Sequence, residues 1–154
     1  MPTNVSSDFI KSYFRACISY DSERVAPFLD DDVEWSCTGP VDVIHFCGTR
    51  RGKSAVLDTI IRLAPSVIRI KTMDMEQILV DGDRAATFMR LTATHVSTGR
   101  IVSYRCAQFL RFRNGKLMEF RALIDSFDAA EQMIGHPIDL QPMQPTQVGN
   151  IFAI

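Results

Sequence analysis

Two runs of alternating apolar residues flank Arg113-Asn114-Gly115 and form the clearest pattern in the chain. Asn-Gly between such runs marks a hairpin. Before the turn, Cys106, Gln108, Leu110 and Phe112 hold even positions, while Arg105 and Arg111 are odd. After it, Met118, Phe120, Ala122 and Ile124 are even, while Glu119, Arg121 and Asp125 are odd. Side chains alternate faces with period two, so keeping the charges together requires odd positions to pair with odd. The charges therefore predict a three-residue loop that pairs Phe112 with Lys116 and gives Gly115 the positive φ of a G1 bulge. Gln108 then lies opposite Phe120, and Cys106 opposite Ala122. One face is mostly apolar and the other is charged.

The same reading extends along the chain. Phe9, Ile10, Tyr13, Phe14, Cys17 and Ile18 fall at helical spacing, which predicts a helix from about Asp8 to Tyr20 capped by Ser6 or Ser7. A short helical turn over Ser22–Leu29 and a strand over Val33–Cys37 follow. Residues 38–52 read as a loop carrying His45 and Phe46, and a third helix spans Lys53–Ala64, stopped by Pro65. Val67–Val80 and Arg84–Val96 are long strands joined at Asp81-Gly82-Asp83. A four-residue loop, Ser97–Arg100, then pairs Val96 with Ile101 and sets Met89 opposite Gln108, Leu91 opposite Cys106 and His95 opposite Val102. A short helix over Asp128–Ile134 closes a single domain of residues 1–135. Residues 136–154 hold three of the seven prolines and read as an extended tail. The predicted class is α+β, a cone-shaped fold. About three N-terminal helices pack on the concave face of a curved, mainly antiparallel sheet of four to six strands.

Composition narrows the functions. Lys+Arg 17 against Asp+Glu 18 leaves no basic excess to hold nucleic acid. No apolar run is long enough for a membrane span, and the N-terminus lacks a signal peptide's form, so a cytoplasmic location is expected. Cys17, Cys37, Cys47 and Cys106 show no metal-ligand spacing and read as free thiols; no metal and no cofactor is expected.

Several strings, in order, resemble the nuclear transport factor two-like superfamily, which includes ketosteroid isomerases, SnoaL-like cyclases and limonene epoxide hydrolases. They are Tyr13 in the first helix, Phe28-Leu29-Asp30-Asp31-Asp32-Val33, Gly48-Thr49-Arg50-Arg51-Gly52, and Gly115-Lys116-Leu117 through Arg121-Ala122-Leu123. The resemblance covers roughly Asp8 to Asp128. It implies an isomerase-type oxyanion donor at Tyr13 and a second at Gln108, where the isomerases keep a protonated aspartate. The isomerase general base falls at Cys37. The catalytic aspartate of the cyclases falls at Ala122, and the Arg-x-Asp pair of the epoxide hydrolases becomes Arg90 and Thr92. The usual carboxylates are thus missing, and Asp125 falls on the opposite face.

Tyr13, Gln108 and His95 are the candidate catalytic residues. Tyr13 reads either as a ligand donor or as a helix-face aromatic, and His95 either as a base or as a rim histidine. The expected pocket comprises Tyr13, Trp35, Cys37, Met89, Leu91 and His95, with Tyr104, Cys106, Gln108, Phe120 and Ala122 from the later strands. His45 and His136 read as loop polar groups. The outer face of Arg90, Arg105, Arg111, Glu119, Arg121 and Asp125 is read as a homodimer interface, as the resemblance implies. The expected function is a pocket for a small hydrophobic molecule. It serves either an isomerase-, cyclase- or dehydratase-type reaction on a carbonyl compound or non-catalytic binding or dimeric association.

Overall fold

The computed structural model describes residues 4–142. Helix α1 (Ser7–Ile18) starts where the Ser6 hydroxyl accepts the Phe9 N–H and turns its apolar stripe inward, burying Ile10, Tyr13 and Phe14. After α2 (Ser22–Val25) and a 3-10 turn (Ala26–Phe28) come β1 (Leu29–Thr38) and β2 (Gly48–Arg51). Helix α3 (Lys53–Asp58) runs into a π-helical turn (Thr59–Leu63) and then α4 (Ala64–Val67). Four long strands complete the sheet: β3 (Ile68–Asp81), β4 (Arg84–His95), β5 (Ile101–Arg113) and β6 (Lys116–Ile124). Helix α5 (Ser126–Ile134) ends at Gly135, which takes a left-handed C-cap.

The six strands lie in the order β2-β1-β6-β5-β4-β3. Strand β1 runs parallel to β6 and every other neighbour is antiparallel. The α+β class and the mainly antiparallel curved sheet agree with the sequence reading. Several details do not. Residues 38–52 contain β2, which pairs with β1, so the segment is not one long loop. Pro65 does not stop the third helix. It sits in the first turn of α4, where its missing N–H has no helical bond to break. Of the expected tail, residues 136–142 form no regular element and the remainder lies outside the described residues.

The β5–β6 hairpin corrects the expected three-residue loop. The loop is Asn114-Gly115 alone, with φ of 51° and 71°, and Arg113 pairs with Lys116. Two successive left-handed residues are the type I′ turn that suits strand twist. Such a loop sets odd against even and would by itself turn Glu119 and Arg121 inward. The register then shifts: Phe112 pairs with Leu117, but Arg111 pairs with Glu119, leaving Met118 as an extra residue. This β-bulge restores the parity that the charges demand. Gln108 consequently lies opposite Ala122, and Cys106 opposite Ile124.

The β4–β5 register also slips from the expected one. Gly99, with φ of 71°, closes a loop over Val96–Gly99, and the His95 N–H bonds the Arg100 carbonyl. The Val96 N–H instead bonds Val67. Met89 therefore faces Cys106, Leu91 faces Tyr104, and Ala93 rather than His95 faces Val102. Both slips are by an even count, so the buried face of β5 still carries Tyr104, Cys106, Gln108, Leu110 and Phe112.

Deleting Met118 should abolish cooperative thermal unfolding, because it drives Glu119 and Arg121 into the core. Gly115→Ala should cost only about 1 kcal/mol, the penalty for a left-handed alanine. Circular-dichroism melts of the two variants test the assignment.

Candidate functional site

A cavity of about 130 Å³ lies between the helices and the sheet. Tyr13, Phe14 and Cys17 of α1 cover it, with Tyr20 just beyond the helix. Thr59 and Ile60 of the π-helical turn and Ala64 and Pro65 of α4 form a second side. The sheet supplies Trp35 and Cys37 from β1, Ile68, Ile70 and Met73 from β3, and Leu91 from β4. The centre of the floor is Tyr104, Cys106 and Gln108 of β5 beside Phe120, Ala122 and Ile124 of β6.

Nine of the eleven expected pocket residues therefore meet at one cavity. Met89 and His95 do not. Met89 is fully enclosed by the core and presents no surface. His95 ends β4 with its ring turned into the following loop, where Nδ1 lies 2.9 Å from the Thr98 hydroxyl and Nε2 3.4 Å from the Ser97 hydroxyl. Burial, and then the nearby Arg100 charge, hold its pKa below the ordinary histidine value. Of α1 only Tyr13 was anticipated, and the walls from the π-helical turn and β3 were not. Phe14 and Cys17 carried a helical-spacing signal toward the core, whereas Met73 and Ile70 required knowing how β3 curls under the helices.

Among the described residues Gln108 is the one amide side chain on the floor, 5% exposed. Its partners are specific. The Thr87 hydroxyl, opposite it on β4, donates to Oε1, while Nε2 donates to Cys106 Sγ at 3.2 Å. Thr87 thereby engages the amide carbonyl and leaves the NH₂ to Cys106, a neighbouring residue of the cavity floor. Thiol sulfur is a weak acceptor, so the amide keeps donor capacity for a bound group.

Tyr13, Cys17, Cys106 and Tyr104 are held neutral. Burial, followed by the Cys17 thiol one turn along α1, raises the Tyr13 phenol well above its usual range. Burial pushes Cys17 up to about 12 despite its bond to Tyr13. Cys106 also rises to about 12 by burial, moderated by the Gln108 bond. Tyr104 rises chiefly through burial. The Tyr20 oxygen accepts the Ile70 N–H at 2.9 Å, tying the end of α1 to β3. Among the described residues no Asp, Glu, His, Lys or Arg lines the cavity. Trp35 stacks on Phe120 at 5.7 Å and 11°, with the Arg50 guanidinium over the indole at 5.7 Å.

The outer sheet face carries Arg90, Arg105, Arg111, Glu119 and Arg121. Arg121 and Glu119 are 3.2 Å apart, Arg111 and Glu119 4.0 Å, and Arg105 reaches Glu76 at 3.2 Å. Asp125 is exposed beyond the end of β6, at the start of α5. Phe109 and Leu123, half exposed on that same face, had not been singled out.

The SnoaL-like domain pattern matches residues 10–120, most of the described chain. The chain belongs to the SnoaL-like domain family. A Rhodopseudomonas palustris protein provisionally called an isomerase is 32% identical to this SnoaL-like domain, covering 86% of this chain and all of its own, with a TM-score of 0.79. A Burkholderia xenovorans NTF2-like protein is 21% identical over 82% of this chain and 93% of its own, with a TM-score of 0.71. A Catenulispora acidiphila protein of ketosteroid isomerase-like fold, solved with trimethylamine, is 12% identical over 90% of this chain and all of its own, with a TM-score of 0.69. The latter two likenesses show that the SnoaL-like domain has the NTF2-like fold. Among curated proteins none matches the chain.

Thr87→Val should destabilise the fold by about 1–3 kcal/mol, because it leaves the Gln108 carbonyl buried without a donor. Gln108→Leu introduced into that variant should recover much of the loss. Urea unfolding of the two single variants and the double variant measures the coupling.

Proposed function

We propose that this SnoaL-like domain binds a compact apolar molecule of about one ring that carries a single hydrogen-bond acceptor, such as a ketone. The observation that carries this reading is the Gln108 amide, whose carbonyl is engaged by Thr87 and whose N–H has only a weak thiol acceptor, on a floor without charged groups. A volume of about 130 Å³ suits a single ring, since a dry apolar cavity of about 150 Å³ accepts benzene. The Gln108 amide bonds the ligand's acceptor, and Trp35, Phe120 and Leu91 enclose its ring.

The reading is of binding rather than proton transfer. General-base catalysis needs a group within hydrogen-bond reach whose pKa lies near the working pH. Burial raises the Tyr13 and Tyr104 phenols and the Cys17 and Cys106 thiols of this cavity, so these groups hold their protons. An isomerase reading draws support from the R. palustris relative. In it, Gln108 and Tyr13 polarise the carbonyl, and water carries the proton.

We also propose that the outer face forms a homodimer. The half-exposed Phe109 and Leu123 supply an apolar centre and the Arg105, Arg121 and Glu119 set a charged rim. Light scattering should give twice the chain mass at micromolar concentration, and Phe109→Arg should yield monomer. A monomeric parent chain overturns this assignment.

Acetophenone and ethylbenzene separate the ligand readings. Gln108→Leu should weaken acetophenone binding about tenfold, the worth of one hydrogen bond, and leave ethylbenzene unchanged. Hydrogen–deuterium exchange at the methyl group of bound acetophenone, followed by NMR, should run no faster than in buffer. Accelerated exchange that is lost in Tyr13→Phe would establish the isomerase reading instead.

A further inference from the structure

Cys37 and Cys47 bring their sulfurs to 3.7 Å, both enclosed by the core. Cys37 stands near the end of β1 opposite Gly48, the first residue of β2, and Cys47 directly precedes that glycine. The loop between them must fold tightly for this contact. Gly39 makes room, since a β-carbon there would sit 2.6 Å from Cys47 Sγ. The other two thiols are engaged differently, Cys106 with the Gln108 amide and Cys17 with Tyr13.

Arg50 distinguishes the two sulfurs. Its guanidinium donates to the Phe46 carbonyl at 2.8 Å, the Cys47 carbonyl at 2.7 Å and the His45 carbonyl at 3.3 Å. These bonds clamp the loop and fix a positive charge beside Cys47. The hydrogen bond shared with Cys37, opposed by burial and aided by the Arg50 charge, holds Cys47 below the ordinary thiol range. That same bond, with burial, holds Cys37 far above it. One member of the pair is disposed to ionise and the other to keep its proton.

We propose that Cys37 and Cys47 form a modification site at which a small hydroperoxide is reduced and an intrachain disulfide is made. The Cys47 thiolate attacks one peroxide oxygen; the O–O bond breaks, an alcohol (water, for hydrogen peroxide) leaves after taking a proton, and Cys47 becomes a sulfenic acid. The Cys37 sulfur then attacks Cys47. Its S–H proton leaves with the hydroxyl as water, and the S–S bond forms. The two sulfurs together lose the two electrons that the peroxide gains. Closing from 3.7 Å to a bond of about 2.05 Å is a side-chain adjustment between residues already held on adjoining backbone. Cys37 also lines the cavity, which gives a small hydroperoxide an approach to the pair.

The test exposes the whole chain to hydrogen peroxide and reads thiols, mass and peptides. Titratable thiols should fall from four to about two, with a loss of about 2 Da and a peptide joining Cys37 to Cys47. Cys17→Ser and Cys106→Ser should leave that link intact, whereas Cys37→Ala should accumulate sulfenic and then sulfinic acid at Cys47. On the unaltered chain, phenylarsine oxide, which bridges paired thiols, should protect Cys37 and Cys47 from alkylation. That second readout needs no variant to fold. Persistence of four thiols, a link to any other cysteine, or sulfinic acid forming as fast in the parent as in Cys37→Ala overturns the proposal.

Discussion

The extra residue at Met118 decides which side of β6 meets the interior, and the rest of the molecule depends on that choice. The tight Asn114-Gly115 turn is the best connection for twisted strands but delivers the wrong parity. A strand has no gradual way to rotate a side chain from one face to the other; it inserts a residue or it does not. With the bulge, Phe120 and Ala122 reach the cavity and Glu119 and Arg121 remain in water. Because β6 also runs parallel to β1, the same insertion places Trp35 beside Phe120 and Cys37 beside Ala122. One unpaired residue therefore orders the cavity floor, the aromatic stack and the dithiol wall together.

The interior follows a consistent economy. A buried amide is costly unless its groups are paired, and Gln108 is tolerated because Thr87 meets it from the neighbouring strand. The arrangement replaces a charge with a dipole. Where an ionisable group would have brought a desolvation cost and a pH dependence, the amide offers a donor whose strength does not change with proton concentration. Phenols and thiols nearby are kept neutral by the same apolar surroundings that admit an apolar ligand.

Much of this was legible in the residues themselves. The alternation around Arg113-Asn114-Gly115 located the hairpin, sorted its faces correctly and singled out Gln108 on the inner one. What alternation cannot show is where an extra residue enters. A three-residue loop and a two-residue loop with a bulge satisfy the same parity, and they differ only in backbone geometry. The four residues of β2 were hidden for another reason: Gly48, Thr49, Arg50 and Arg51 have no apolar alternation, and they become a strand only because β1 offers an open edge. Helix α1 announced its core face through spacing. The Cys37–Cys47 contact is tertiary, made by a loop folding back, and nothing in the spacing of the cysteines reveals it.

The two irregular points on β3 have a consequence for the molecule among its neighbours. Strand β3 is a long outer strand that pairs with no second strand among the described residues, the kind of edge onto which another chain can add. Its register with β4 shifts at Ile70/Thr72 and again at Met75/Gln77, and the residues left over are Lys71 and Glu76. Both are charged. At the opposite border β2 offers only four residues, two of them arginines. Each border is thus a poor template for intermolecular strand addition, one because it is kinked and charged, the other because it is short. The protection against open-ended strand addition comes from features that contribute nothing to the cavity.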